Sequence, residues 1–299
     1  MKKIIVMLAF GIFFAGTADA IGLWSVGTAY AENARGIIQK VLDREDGETQ
    51  YNVQTVSTCR YEIQGKSIAC VEAPRTKIVE TVRKDYGVNG KDIKSVSLIL
   101  EPSSERGIGF LQYDYEDQEK DSDQWMYLSA LGKVKRIVSG RSDEPKSGTL
   151  FGSEISYEDV EVRHIDDFIY TLLKEEKYSG RDCWVIESVP TPKHARKSNY
   201  SKTVQWIDKE RLVGYRVLMY DRHGKPVKQL TQSDYILKDG VWVATKMNVK
   251  NVQTRRITTM KLDDVAINIL VKDSLFTERT LTDDSFREGT MRDVRVVKR

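Results

Sequence analysis

The sequence predicts a mainly β protein, an antiparallel sheet with one covered face and a few helices. Three observations lead there. Short runs of alternating apolar and polar residues recur from Thr76 onward, and turn residues separate them. These runs alternate, whereas the strands of a parallel α/β core, buried on both faces, read as continuous apolar stretches. Finally, 40% of the 299 residues are hydrophobic and 30% charged, which suits one large folded domain and argues against disorder. A formal charge of +3, with no dense Lys/Arg block interleaved with aromatics, gives no sign of a nucleic-acid partner.

Residues 1–31 read as a secretory leader. Lys2-Lys3 precede an apolar run over residues 4–14, and small residues follow at Ala18-Asp19-Ala20 and again at Ala29-Tyr30-Ala31. Cleavage falls after Ala20 or after Ala31, the second being favoured because a helix pattern begins just beyond it. An uncleaved anchor competes with this reading, but the apolar run is shorter than the roughly 20 residues that span a bilayer. The first cysteine is Cys59, far from either site, so the exported chain is expected in the periplasm without a lipid anchor of its own. A single domain is expected over residues 32–284. Residues 285–299 show no apolar periodicity and are expected as a flexible C-terminal tail.

Asn33 can cap a helix in which Ala34, Ile37, Ile38, Val41 and Leu42 recur at three- and four-residue spacing. That apolar face either packs on a sheet edge or lids a cavity. Between Cys59 and Cys70 the turn candidate is Gln64-Gly65; a two-residue loop there sets Ile63 opposite Lys66, Tyr61 opposite Ile68 and Cys59 opposite Cys70. A disulfide suits that separation and an oxidising compartment, two reduced thiols being the alternative. Cys183 is left over and reads as a buried apolar thiol rather than a nucleophile.

Asn89-Gly90 marks a hairpin between residues 77–86 and 93–100. The acidic stretch 116–123 reads as a solvated loop, because it lacks the Gly-turn pattern of a calcium site. Residues 124–128 and 133–138 form a further hairpin through Leu131-Gly132. Ser156 and Asp159 have the spacing of a capping box, which predicts a short helical segment after the sheet. Residues 165–178 read as a second helix. The second half is a meander, turned at Asp208-Lys209-Glu210, around His223-Gly224 and at Asp239-Gly240.

Catalytic patterns are missing. His164, His194 and His223 have no metal-ligand spacing, no G-x-S-x-G elbow occurs, and the adjacent pairs Glu158-Asp159, Asp166-Asp167 and Glu175-Glu176 suit capping or solvation better than acid-base work. No enzyme, cofactor or metal is expected.

Several segments together resemble the LolA-like outer-membrane lipoprotein-sorting family, in its larger bacterial branch, over residues 32–281. They are Trp125-Met126-Tyr127 with Arg136-Ile137, Phe151-Gly152-Ser153-Glu154-Ile155-Ser156-Tyr157-Glu158-Asp159, Gly180-Arg181-Asp182-Cys183-Trp184, Tyr220-Asp221-Arg222-His223-Gly224-Lys225 and Asp273-Ser274-Leu275-Phe276-Thr277. Ser129 stands where that pattern has proline, and the Cys59 to Cys70 hairpin is an addition. The resemblance implies a strongly curved, incomplete antiparallel β-barrel whose concave face is covered by helices and receives acyl chains. It implies a periplasmic carrier of lipid or lipoprotein acyl chains toward the outer membrane, with an inner-membrane transporter and an outer-membrane acceptor as partners. The alternative is an envelope sensor or adaptor of the same fold that binds a protein. On this reading the cover is residues 33–43 with 165–178. The lipid-binding walls are Val96, Leu98, Leu100, Phe110, Trp125, Tyr127, Trp206, Val217 and Met219, each of which ordinary core packing explains equally well.

Overall fold

The computed structural model describes residues 33–65, 67–139 and 144–297; the leader and both its cleavage sites lie outside them. In chain order the strands are β1 (Thr49–Gln64), β2 (Ser67–Cys70), β3 (Arg75–Tyr86), β4 (Asp92–Glu101), β5 (Gly109–Asp114), β6 (Asp123–Leu128) and β7 (Lys133–Ile137). After a long connection come β8 (Phe168–Tyr178), β9 (Arg181–Pro190), β10 (Tyr200–Asp208), β11 (Gly214–Asp221), β12 (Pro226–Lys238), β13 (Val241–Asn251) and β14 (Arg256–Ile267). The helices are α1 (33–42), α2 (Pro192–Ala195), α3 (Glu278–Thr282) and α4 (Asp284–Val297).

The strands form one antiparallel sheet in the order β7-β6-β5-β4-β3-β1-β14-β13-β12-β11-β10-β9-β8, with β2 attached to β1. Two meanders are thus joined at the long β1–β14 pairing, which runs from Gln50 opposite Ile267 to Arg60 opposite Arg256. The sheet is curved and not closed. Its free edges are β7 and β8, which are consecutive strands in the chain.

Alternation along each strand gives the sheet two apolar faces. On one, Ala266, Tyr51, Val82, Val96, Leu111 and Trp125 stand directly opposite one another across six strands. Leu275, Phe276, Leu281, Met291 and Val294 cover this ladder, so the C-terminal helices seal that face. The residue before Leu111 in β5, Phe110, points to the other face and packs with Met126, Ile137 and Tyr157. Here the cover is the segment 144–167, which crosses the sheet between its two edges. Farther along, Ala34, Ile37 and Ile38 of α1 pack on Tyr170, Leu172, Ile186 and Ile207. Arg35 donates to the Ile165 carbonyl and pairs with Asp166, tying α1 to the crossing segment.

Three expectations need correction. Residues 165–178 are a single 3-10 turn, Ile165–Asp167, followed by strand β8. Phe168, Tyr170 and Leu172 face inward and Ile169, Thr171 and Leu173 outward, and pairing with β9 decides the period. The expected tail is helix α4. Its buried stripe is Arg287, Thr290, Met291 and Val294, a helical spacing that apolar periodicity misses because two members are polar. Asp283 caps it, accepting the Phe286 amide at 2.9 Å. Finally, the small hairpin pairs Tyr61 with Cys70, Ile63 with Ile68 and Gln64 with Ser67, so Gln64 is a strand residue and the loop begins at Gly65 rather than at Gln64. Gly65 takes the left-handed conformation (φ +63°) as first loop residue, where the sequence reading had it second. Cys59 and Cys70 are disulfide-bonded across a diagonal, with Cα atoms 5.8 Å apart. The capping box is half present: the Asp159 carboxylate accepts the Ser156 amide at 2.7 Å, and one 3-10 turn, Glu158–Val160, follows.

Helix α4 is also locked by charge. Arg295 pairs with both oxygens of Glu80, which is fully buried in β3. Arg295→Ala leaves that carboxylate without its cation and is expected to destabilise the fold by about 3 kcal/mol in urea titration; adding Glu80→Gln should recover most of the loss. Thiol labelling of the denatured, unreduced protein should modify Cys183 alone, whereas labelling of three cysteines would show the disulfide to be missing.

Candidate functional site

Where the crossing segment passes over β9 to β12 it leaves a cavity of about 210 Å³. Its apolar lining includes Phe168 from the start of β8, Val217 and Met219 from β11 and Leu230 from β12, with Pro190 from the end of β9 and Val162 from the crossing segment. Val217 stands opposite Leu230 in the β11–β12 pairing, and Met219 opposite Thr203 of β10, so the wall is a patch of neighbouring inward positions. Opposite it, the crossing segment contributes Glu158, Asp159, Glu161, Arg163 and Asp167, and the β9–β10 connection contributes His194 and Ser198.

Buried polar contacts hold the cover in place. Glu154 accepts from Arg256 Nε at 2.7 Å and Asn251 Nδ2 at 3.0 Å, while its amide donates to Thr258 Oγ1. Asp159 receives Lys228 Nζ at 2.7 Å and the Tyr200 hydroxyl at 2.6 Å, in a pair less than a tenth exposed on either side. Burial pushes the Tyr200 hydroxyl well above the usual tyrosine range, and Asp159 adds to the shift. Glu158 accepts from the Ser198 hydroxyl and the Asn199 amide. Tyr157 stacks on Phe110 with ring centroids 5.9 Å apart. The motif over residues 151–159 is therefore the set of anchors by which the cover docks on the sheet.

Looser contacts lie at the rim. The β5–β6 loop meets the β9–β10 connection through Lys193 to Glu119 and Lys197 to Asp121, both at 2.7 Å and exposed to solvent. His194 Nδ1 lies 3.3 Å from Asp167, yet burial holds its pKa below the ordinary 6.5, against the pull of that carboxylate. Among the described residues no group of His, Cys, Asp and Glu is arranged to hold a metal ion, and no helix is long and apolar enough to cross a membrane.

Of the nine wall residues expected from the sequence, only Val217 and Met219 line this cavity. Val96 and Leu98 are core beneath α3 and α4, and Trp125 and Tyr127 pack against that core on the face away from the cavity. Phe110 lies under Tyr157, and Leu100 is half-buried apart from these clusters. Trp206 packs with Cys183, Val185 and Val204 and donates its indole N–H to Glu176 at 2.5 Å. The nine do not form one surface, because alternation marks which residues are inward on a strand and not which face of a long sheet a given cover occupies. Sequence reasoning missed Phe168, Leu230, Arg163, Ser188 and Thr203. Ser188 and Thr203 were legible in principle, as polar residues at inward positions of otherwise apolar strands.

A family model described as an uncharacterized protein matches residues 91–283, well over half of the chain. The chain is similar to the structure of a DUF1329 family protein from Desulfovibrio piger, at 26% identity and TM-score 0.73, covering 84% of this chain and 99% of that one. It is similar to a domain from Vibrio parahaemolyticus assigned as an outer membrane lipoprotein-sorting protein, at 29% identity, TM-score 0.72, and the same coverage of 84% and 99%. A LolA superfamily protein from Nitrosomonas europaea, 17% identical with TM-score 0.55 over 84% of this chain and 97% of that one, shares the fold. No protein of curated function matches. With its model matched over residues 91–283, this chain belongs to that family of uncharacterized proteins, and it shares its fold with the DUF1329, lipoprotein-sorting and LolA superfamily structures.

Proposed function

We propose that this protein is a non-enzymatic periplasmic carrier that binds the acyl chains of a lipid or lipoprotein and moves them toward the outer membrane. One observation carries the reading: an apolar wall on an unclosed sheet lies beneath a cover made of a separate chain segment. Supporting it are the secretory leader read from residues 1–31 and the likeness to a domain assigned to outer-membrane lipoprotein sorting. Water is the obstacle that such a carrier overcomes, because each buried methylene is worth about 0.8 kcal/mol. The cavity of about 210 Å³ falls below the roughly 300–1,000 Å³ that holds a complete drug-sized ligand, so a long chain requires the cover to shift. The rim pairs suit that shift, since exposed ion pairs contribute only about 0–1 kcal/mol each. The anchors at Glu154 and Asp159 are buried and keep the cover attached while its outer part moves.

A second reading has its own observation. Edge strand β8 is unpaired on its outer side among the described residues and exposes Ile169 and Leu173, 58% and 48% accessible, whereas edge β7 is short and carries Lys133, Lys135 and Arg136. An adaptor that takes a strand from a partner protein would use that edge.

Protein recovered from the periplasm is expected to carry an amphiphile detectable by native mass spectrometry and extractable with organic solvent. Met219→Lys or Leu230→Lys should abolish uptake from vesicles while the melting transition persists. Leu98→Lys, by contrast, should unfold the protein, because Leu98 is core. Wild-type protein that neither contains nor takes up an amphiphile sinks the carrier reading and favours the adaptor. Replacing Lys193 and Lys197 together by Gln should accelerate uptake a few-fold in stopped flow, and 0.5 M salt should remove the difference.

A further inference from the structure

The cavity has a polar end that the proposed carrier function does not by itself require. Ser188 and Thr203 face each other across β9 and β10 and both line it. Ser188 is 0% and Thr203 6% exposed, and neither hydroxyl has a hydrogen-bond partner among the described residues. Arg163 reaches the same space from the crossing segment. Its guanidinium makes no hydrogen bond or ion pair among the described residues and lies over the Phe168 ring, 4.1 Å from the centroid.

Every other charged group around the cavity is already engaged. Asp159 is held by Lys228, Glu161 by Lys146 at 2.6 Å, and Lys202 by Glu187 at 2.8 Å. Glu158 accepts from Ser198 and Asn199, and Asp167 faces His194. Once the ion pairs cancel, the carboxylates of Glu158 and Asp167 stand against one free cation among these lining groups, Arg163. A doubly charged anion would meet those carboxylates. A donor fork with two hydroxyls, next to the apolar wall, matches oxygen acceptors of low charge at the end of a hydrocarbon.

We infer that Arg163, Ser188 and Thr203 bind the polar head of the amphiphile, an oxygen-acceptor group carrying at most one negative charge, while Phe168, Val217, Met219 and Leu230 take its chain. The inference rests on the carrier reading and adds the ligand class. The same head chemistry arises from two sources, a free fatty acid carboxylate and an acyl ester.

Displacement of a fluorescent C16 carboxylic acid from the full exported chain tests it, with palmitate, methyl palmitate, hexadecyl phosphate and hexadecyltrimethylammonium as competitors. Palmitate or methyl palmitate should displace best and the cation worst. Arg163→Gln and the pair Ser188→Ala with Thr203→Val should each weaken the preferred competitor at least tenfold. Loss for palmitate alone identifies the carboxylate, and loss for both identifies the ester oxygens. Ligand-free Arg163→Gln should melt within about 2 °C of the wild-type temperature or above it, since it removes a charge whose one contact is the Phe168 ring and which has no ion pair among the described residues. A marked fall in melting temperature would make Arg163 a structural residue and overturn the inference. So would variants that bind both competitors within twofold of wild type while Met219→Lys binds neither; the carrier reading then stands without a head site. Wild-type protein that binds no competitor defeats both together.

Discussion

The pairing of β1 with β14 is the constraint on which the molecule depends. It joins the first long strand to the last, and it places β7 and β8, neighbours in sequence, at opposite edges of the sheet. A chain that leaves one edge and must enter the other has to cross the sheet. The described part of that connection, residues 144–167, lies over the sheet between its edges and is the cover of one face. The cavity is thus a consequence of strand order. It exists where the crossing segment bridges inward side chains of β9 to β12 without filling the space between them. The opposite face is sealed by α3 and α4 on the ladder of Tyr51, Val82, Val96 and Leu111.

The manner in which the cover is attached bears on how it works. Apolar packing holds it at Phe110 and Tyr157, but over the second meander it is held by ions and hydrogen bonds: Glu154 on Arg256 and Asn251, Asp159 on Lys228 and Tyr200. Buried ion pairs add little net stability against a well-packed apolar alternative, yet removing one partner is costly. Such contacts specify one docking position. The rim pairs of Lys193 and Lys197 differ in kind, being exposed and screened by salt. For the proposed carrier, firm anchors and a weak rim are what a cover needs to open at one side and return to the same seat.

Much of the sheet could be read residue by residue. Asn89-Gly90 sits in the β3–β4 turn, Leu131-Gly132 in the β6–β7 turn, and the turns at Asp208, Gly224 and Gly240 separate the strands of the second meander as expected. The failures share a cause. Over residues 165–178 the apolar positions satisfy both a period of two and a period near 3.6, and only β9 alongside selects the strand. In α4 the buried stripe includes Arg287, whose guanidinium donates to the Thr280 and Leu281 carbonyls, and Thr290, so hydrophobicity alone showed no face. Of the candidate walls, Val96 and Met219 were equally inward by pattern and ended on opposite sides of the sheet.

What the sequence determined by itself was local: the alternation that makes strands, the glycines and asparagines that turn them, the apolar stripe of α1, and two cysteines close enough in the chain to be bridged. Steric and hydrogen-bonding preferences within a few residues suffice for these. The tertiary structure alone decided which face each cover occupies, that residues 168–178 are an edge strand, and that Arg163, Ser188 and Thr203 meet at one end of an apolar wall. Those outcomes follow from pairing between segments tens to hundreds of residues apart, whose energies no local pattern contains.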